Sequence, residues 1–406
     1  MPLIVVDSGF RQIQNDYGTR GIEDYTKPKF ELSGSILNKS NLNGGGRSAS
    51  VSPFSSSYNT NRDKKTKTII GDIINHGKEH LWDPSKQIHY HATLHKGEPT
   101  LEVQIARVLM KSIVATNGVF DADHFRQSYI TFMTTPGSHN DTYASTCHRM
   151  FFANLYFRQL NPKDCPDNDQ HNVDAIDGLV LPTIVALATT ARKAVSSSTS
   201  STISKITIGD DSESDQSLTN LLNDVAQSSA SCAAVTRKSN VLEYVSGQWG
   251  QLVAASILSP TTTTPDGDEA SLSLFGRTLN TVSEQLIQRR PNPQRASRLD
   301  QLMTACYLTQ SLPPLFDMIA KYVPNNNTSK DGIRHDDKAD WVWDALIDNA
   351  NVGGENVHRG SVFGSILGAR AGVKNLPRQM IEGLYQNQEL KNEINDFVHA
   401  VMTQTK

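Results

Sequence analysis

The sequence predicts an all-α protein, a compact single-domain bundle of helices crossing at varied, near-orthogonal angles. Three observations carry this. From Thr100 onward apolar residues recur at three- and four-residue steps. No run alternates apolar and polar residues long enough to make a strand. Near the C-terminus glycine returns every fourth residue, at Gly360, Gly364, Gly368 and Gly372, which puts all four on one helix face.

The elements follow in order. Residues 1–68 read as an irregular N-terminal segment. Ser33 to Thr68 is crowded with Ser, Asn, Gly and Lys, including Gly44-Gly45-Gly46, and is expected to be mobile. The domain proper is expected over residues 69–406. Leu101, Ile105, Val108, Leu109 and Ile113 mark the face of a helix that Asn117-Gly118 stops. Asp121 is placed to cap the next helix, with Phe125, Tyr129, Phe132 and Met133 inward. Tyr143 to Phe157 is a third. Val173 to Ala194 is a long apolar helix with a kink expected at Pro182. Further helices are expected over Leu218–Ala230, Asn240–Leu258, Glu269–Arg289, Ala296–Tyr322, Ala339–Asn349, Asn356–Gly372 and Leu376–Thr403. Ser196 to Ser217 reads as a polar, mobile insertion.

The glycine-stepped helix is the most telling element. Each interior glycine costs roughly 0.5–1 kcal/mol against alanine. Close packing against another helix backbone would recover that cost. The alternative, a membrane dimer motif, needs a long apolar span. Arg359 and Arg370 bracket a segment too short for one. Gly353 and Gly354 break the chain just before it, and Glu355, Asn356, His358 and Arg359 open it.

Composition excludes some functions. A net charge of -3 gives no basic balance for nonspecific nucleic-acid binding, and no membrane partner is expected. Arg289, Arg290 and Arg295 read as a helix end, where cations suit the dipole. Cys147, Cys165, Cys232 and Cys306 lack zinc-type spacing and read as free thiols in a reducing, cytoplasmic setting. The opening MPLIVVDSGF has no basic lead, so no secretory signal is expected.

Four polar connections are candidate sites, because loops on a rigid scaffold carry function. Gly97-Glu98-Pro99-Thr100 precedes a helix. Thr134 to Thr142 joins two helices and includes Gly137, Ser138, His139, Asn140, Asp141 and Thr142. Cys165 to Asp174 is acidic, with Asp177 one turn on, but lacks the glycine and terminal Glu of a calcium loop. Gly353 to Arg359 is the fourth. Glu98 reads first as a helix-terminal charge and then as a catalyst, and Asp141 and Asp174 first as caps and then as bases. His89, His91 and His95 would suit a metal only if one face carried them all.

Several blocks together resemble a known family. Gly353 to Gly360 (GGENVHRG) with its small-residue helix looks like the C-terminal signature of the ADP-ribosylglycohydrolase superfamily. FMTTPGSHNDTYASTCHRMFFANL, DNDQHNVDAID and HGK…HYH…LHKGE are similar to the branch holding jellyfish J-type lens crystallins and selenoprotein J. The resemblance runs from about Ile69 to the end. It implies a compact all-α fold in which aspartates of a Thr-Asp-Asp-Thr motif, a Gly-Gly-Asp-x-Asp motif and an N-terminal helix hold two magnesium ions. It also implies hydrolysis of the bond between ADP-ribose and its acceptor.

On this mapping the first motif falls on Glu98, Pro99 and Thr100, and the second on Glu355, Val357 and His358. The family's first acidic helix has no counterpart in Met1 to Asn38. Metal contact is therefore expected from Glu98, Thr100 and Glu355, with magnesium weak or lost. Glu98, Glu355 and His358 are the candidate catalytic residues. Gly137 to Thr142 with Gly353, Gly354 and Asn356 are the candidate binding residues for an ADP-ribose-type ligand. The expected function is a ligand-binding or structural, crystallin-like protein with a degenerate site. The alternative is a hydrolase of ADP-ribosyl or related glycosidic bonds. Aspartates restored at positions 99 and 357 should, on the mapping alone, strengthen magnesium binding.

Overall fold

The computed structural model describes residues 10–32, 35, 37, 73–82, 85–169, 172–196, 212–259, 273–296, 306–323 and 340–403. Most of Ser33 to Thr68, and residues 197–211 of the polar insertion, lie outside them. Among the described residues there are fourteen α-helices and no strand. β-type pairing is confined to two isolated bridges, Glu31 with Ile88 and Ala175 with Tyr307.

The first helix, α1 (Phe10–Tyr17), has no counterpart in the sequence reading. It is held from outside: Ile13 and Ile22 pack on Ala350, and the Asn351 amide both accepts from and donates to the Ile22 backbone, at 2.8 Å each. Eight residues are too few for a periodic apolar signal.

Helix α2 (Leu101–Ala115) turns Leu101, Ile105, Leu109 and Ile113 into the core. Asn117 and Gly118 end it with left-handed backbone. Asp121 caps α3 (Ala122–Thr134), accepting the N–H groups of Asp123 and His124 at 2.9 Å. Helix α4 is Thr146–Tyr156.

The long helix with a mid-helix kink is corrected. Residues 173–175 pair with the 306–308 segment: Ile176 N–H donates to Cys306 O (2.8 Å) and Leu308 N–H to Asp174 O (3.0 Å). That pairing withdraws the backbone groups a helix would need. A 3₁₀ turn, Ile176–Leu179, follows, and α5 (Val180–Ser196) begins only then. Pro182 falls in its first turn, where a missing N–H costs nothing.

The remaining helices are α6 (Ser212–Ala233), α7 (Asn240–Leu258), α8 (Leu274–Ile287), α9 (Pro293–Ala296), α10 (Leu308–Tyr322), α11 (Asp340–Val352), α12 (Asn356–Ala371), α13 (Arg378–Glu382) and α14 (Asn387–Met402). The expected final helix is thus two, broken at 383–386. At the break Tyr385 N–H donates to Gly97 O (3.1 Å), and position 97 (φ 74°) needs glycine because any side chain there would strike the Gly383 carbonyl. Arg289 does more than end α8: its guanidinium grips the buried Asp317 carboxylate with two bonds of 2.8 Å.

Helix α5 is the axis of the core, covered by α6, α7, α2 and α14. The stretch Ile176–Val195 is long and apolar enough to cross a bilayer by length and composition, but it packs inside these helices. Trp249 of α7 is fully buried, and its indole N–H bonds Thr183 Oγ1 at 2.9 Å.

The glycine strip of α12 is only partly the tight interface its spacing suggests. At Gly360 a methyl would stand 2.7 Å from Asn349 Nδ2, so α11 does press close. At Gly364 the nearest atom would be Leu346 Cδ2 at 3.8 Å, and at Gly368 nothing lies within 4 Å. Gly360 and Gly364 instead line an apolar groove of about 220 Å³ with Pro99, Val103 and Leu346.

Candidate functional site

Four segments converge at one end of the bundle: the loop before α2, the loop between α3 and α4, the 3₁₀ turn, and the start of α12. Asp141 ties the first two together. Its Oδ2 accepts Leu101 N–H (2.8 Å), the first donor of α2, and its Oδ1 accepts from His91 Nδ1 (2.8 Å) and Tyr143 N–H (3.2 Å). Burial alone would raise this carboxyl, but His91 and the two backbone donors outweigh it and hold it below its usual range. Of the two readings left open, Asp141 is a cap for α2. Asp174 likewise accepts from Ser239 Oγ, itself the cap of α7.

Beneath Asp141 lies a buried charge network. Arg237 binds Asp177 with two bonds, 3.1 and 2.7 Å, and stands 3.7 Å from Glu102 Oε1. His148 Nε2 is 2.8 Å from the same Glu102 oxygen, and its Nδ1 is 2.7 Å from the Tyr129 hydroxyl. Ser145 Oγ lies 3.0 Å from Glu102 Oε1 and 2.9 Å from Asp177 Oδ2. Burial opposes the charged forms of Glu102 and Asp177, yet His148 and Arg237 respectively keep both carboxyls below their usual range. Burial also opposes charge on His148, and Cys147, Tyr129 and Glu102 together raise it well above the ordinary histidine value.

His358 completes the network from α12. Its Nδ1 is 2.6 Å from Glu355 Oε1. Burial lowers its pKa, but Glu355, then Asp177 and Glu102, outweigh burial and raise it to about 9. The three carboxylates favour the protonated ring. Its Nε2 has no hydrogen-bond partner, and neither has Thr100 Oγ1. Both residues line a small void of about 10 Å³, bounded also by His91, Glu102, Asp141 and Ser145. Such a space holds roughly one water.

The residues singled out from the sequence thus divide between two spaces. Thr100, Asp141 and His358 surround the void, with Glu355 bonded to His358. Glu98, Gly137, Ser138, His139 and Asn140 line an open cleft of about 470 Å³, walled by Lys78, Arg107, Lys111 and Tyr385. Glu98 and Thr100 are two residues apart but face different spaces. Glu98 Oε2 accepts the backbone N–H and Nδ1 of His95, at 2.8 Å each, and Asn140 Nδ2 at 3.2 Å. His139 donates through Nε2–H to Ile74 O (2.6 Å), and burial lowers its pKa to about 4. Thr142 is structural: its carbonyl accepts from Asn75 and from the Trp82 indole (2.9 Å).

At the α12 start, Gly353 and Gly354 both have positive φ, and buried Arg359 holds the turn through Gly353 O (3.0 Å) and Asn349 Oδ1 (2.8 Å). Asn356 spends its amide on Ala350 O (2.8 Å), inside the fold. The histidine trio does not gather on one face. His91 bonds Asp141 and His95 bonds Glu98, while burial pushes His89 down to about 3.

The family profile described as ADP-ribosylglycohydrolase matches residues 62–406. This chain belongs to the ADP-ribosylglycohydrolase family. No curated protein matches it. A solved structure described as "ADP-ribosylglycohydrolase-related protein complex" shares 12% identity over 91% of this chain and 95% of that one, with a TM-score of 0.46. A likeness that faint carries no argument, and membership rests on the sequence match.

Family membership raises the question of magnesium, and the mapped residues do not fit a pair of such ions. Hard dications take several carboxylate oxygens. Here Val357 is buried against Leu94, and Pro99 faces the apolar groove. Glu98 Oε2 already has three donors, and Glu355 is engaged by a cationic ring. A proton on His358 supplies positive charge among these carboxylates.

Sequence reasoning gave Glu102, Ser145, Cys147, His148 and Arg237 no role. Glu102 and His148 interrupt otherwise apolar helix faces, beside Leu101 and Phe151. A charge at an inward position was the available signal.

Proposed function

We propose that this member of the ADP-ribosylglycohydrolase family is a ligand-binding protein that takes an ADP-ribose-type ligand in the cleft beside Glu98 and Asn140, without a magnesium pair. The observation that carries the reading is the 2.6 Å pairing of Glu355 with His358, which occupies a carboxylate that the mapped motif would give to a metal. The cleft suits a diphosphate. Its volume, about 470 Å³, falls in the range of small-molecule sites. Half-buried Lys78 lines it, within electrostatic reach of Asp141 and Glu98, and Ser138 Oγ and His139 Nδ1 have no hydrogen-bond partner. The His95 and Tyr385 rings, stacked at 5.0 Å and 5°, form a flat edge at its mouth. The crystallin-like branch belongs to the same proposal and draws on the quoted sequence blocks. So does a cytoplasmic setting, supported by Cys147, Cys165 and Cys232, buried thiols outside any disulfide.

The second reading, hydrolysis of ADP-ribosyl bonds, is favoured by the Glu355–His358 pair, which has the form of an acid–base dyad. It suffers from room, since the void that His358 lines holds about one water. Calorimetric titration of ADP-ribose with and without magnesium separates the two. The expected result is binding that magnesium does not alter and that Lys78→Ala weakens about tenfold. Magnesium-dependent release of ADP-ribose from a modified protein would overturn it.

A further inference from the structure

We propose that Glu102, Cys147 and His148 form a buried transition-metal site of the zinc or cobalt class. A carboxylate oxygen, the Cys147 sulfur and a His148 ring nitrogen all lie within 4.8 Å of one another. All three residues are buried, at 4%, 1% and 0% exposure. This proposal stands apart from the ligand reading above and shares no residue with the cleft.

The donor set decides the class. One sulfur, one nitrogen and one oxygen suit zinc or cobalt, whereas magnesium takes oxygen alone. Three protein donors leave a fourth position, and Ser145 Oγ, 3.0 Å from Glu102 Oε1, stands beside it. The surroundings are those of a metal-binding histidine. With Nε2 directed at Glu102, Nδ1 lies 2.7 Å from the Tyr129 hydroxyl, which fixes the ring's orientation. A metal would enter where a hydrogen bond now joins His148 and Glu102. Binding releases two protons, one from the Cys147 thiol and one from that hydrogen bond. The incoming dication replaces both charges, so the buried network around Arg237 keeps its balance. The ligand atoms must close by about 1 Å to reach bonding geometry. Cys147 and His148 sit in the first turn of α4, next to the extended 143–145 segment.

Cobalt(II) reports the site directly, because thiolate ligation gives an intense near-ultraviolet charge-transfer band. The full-length chain would be refolded from urea with cobalt(II), so that burial does not block loading. One equivalent should bind with that band. The band should vanish in Cys147→Ser, weaken in Glu102→Gln, and survive in Cys232→Ser, whose thiol is equally buried elsewhere. Excess zinc should bleach it. If wild type shows no band, or Cys147→Ser keeps it while remaining folded by circular dichroism, the proposal fails.

Discussion

Glu355 and His358 sit one turn apart at the start of α12, 2.6 Å from each other, with both side chains buried. The pair links stability to pH. The folded-state pKa of His358, about 9, lies above its ordinary 6.5. Its contribution is therefore full below about pH 6.5 and fades as pH rises through about 9. The shift corresponds to about 3 kcal/mol. Urea unfolding of wild type and His358→Gln at pH 6.5 and 9 measures it. The gap between the two proteins should narrow at the higher pH, and a constant gap would discard the assignment.

Two neighbouring glycines should behave oppositely. A methyl at Gly360 would strike Asn349 Nδ2 at 2.7 Å, whose bond to Asn356 O joins α11 to α12. Gly360→Ala should cost about 1–3 kcal/mol. At Gly364 the added methyl meets only Leu346 at 3.8 Å, and helix propensity favours alanine by up to about 1 kcal/mol. Gly364→Ala should leave the melting temperature equal or higher, and thermal unfolding of both variants checks the pair.

Arg237 neutralises two buried carboxylates, Asp177 and Glu102. Arg237→Met strands Asp177, while Glu102 keeps His148 at 2.8 Å, and should destabilise by about 3–5 kcal/mol. Arg237→Met with Asp177→Leu should recover a substantial part of that loss. A double variant as unstable as the sum of its parts would mean the two residues do not act as a pair.

Restored aspartates are not expected to recover magnesium. Position 357 is 1% exposed and packed on Leu94, so Val357→Asp buries an unpaired charge at a cost of several kcal/mol. Position 99 faces the apolar groove, not the cleft that holds Glu98. Magnesium titrated into Pro99→Asp/Val357→Asp should return no pair of tight sites. Two such sites by calorimetry would reverse this conclusion.

Signals that act within a few residues were legible in the sequence. The Asp121 cap, the Asn117-Gly118 stop and the bounds of α7 and α12 lie close to where the residues place them. Features set by distant partners were not. The start of α5 depends on pairing with Cys306 and Leu308. Helix α1 exists because α11 receives it. The four-residue glycine step shows that a face is smooth, but not how much of it is covered. The charge network joins positions 102, 148, 177, 237 and 358, and no local pattern announces that they meet.

Helix α5 has a consequence for how the chain is made. Its cover comes from α2, already synthesised, and from α6, α7 and α14, all still to come. The last of these, α14, ends at Met402. At ordinary translation speeds of about 5–20 residues per second, an apolar helix emerging from the ribosome waits roughly 10–40 s for its full enclosure. During that interval it resembles a membrane span to any factor that samples nascent chains by hydropathy. A chain lacking α14 would leave that side of α5 uncovered.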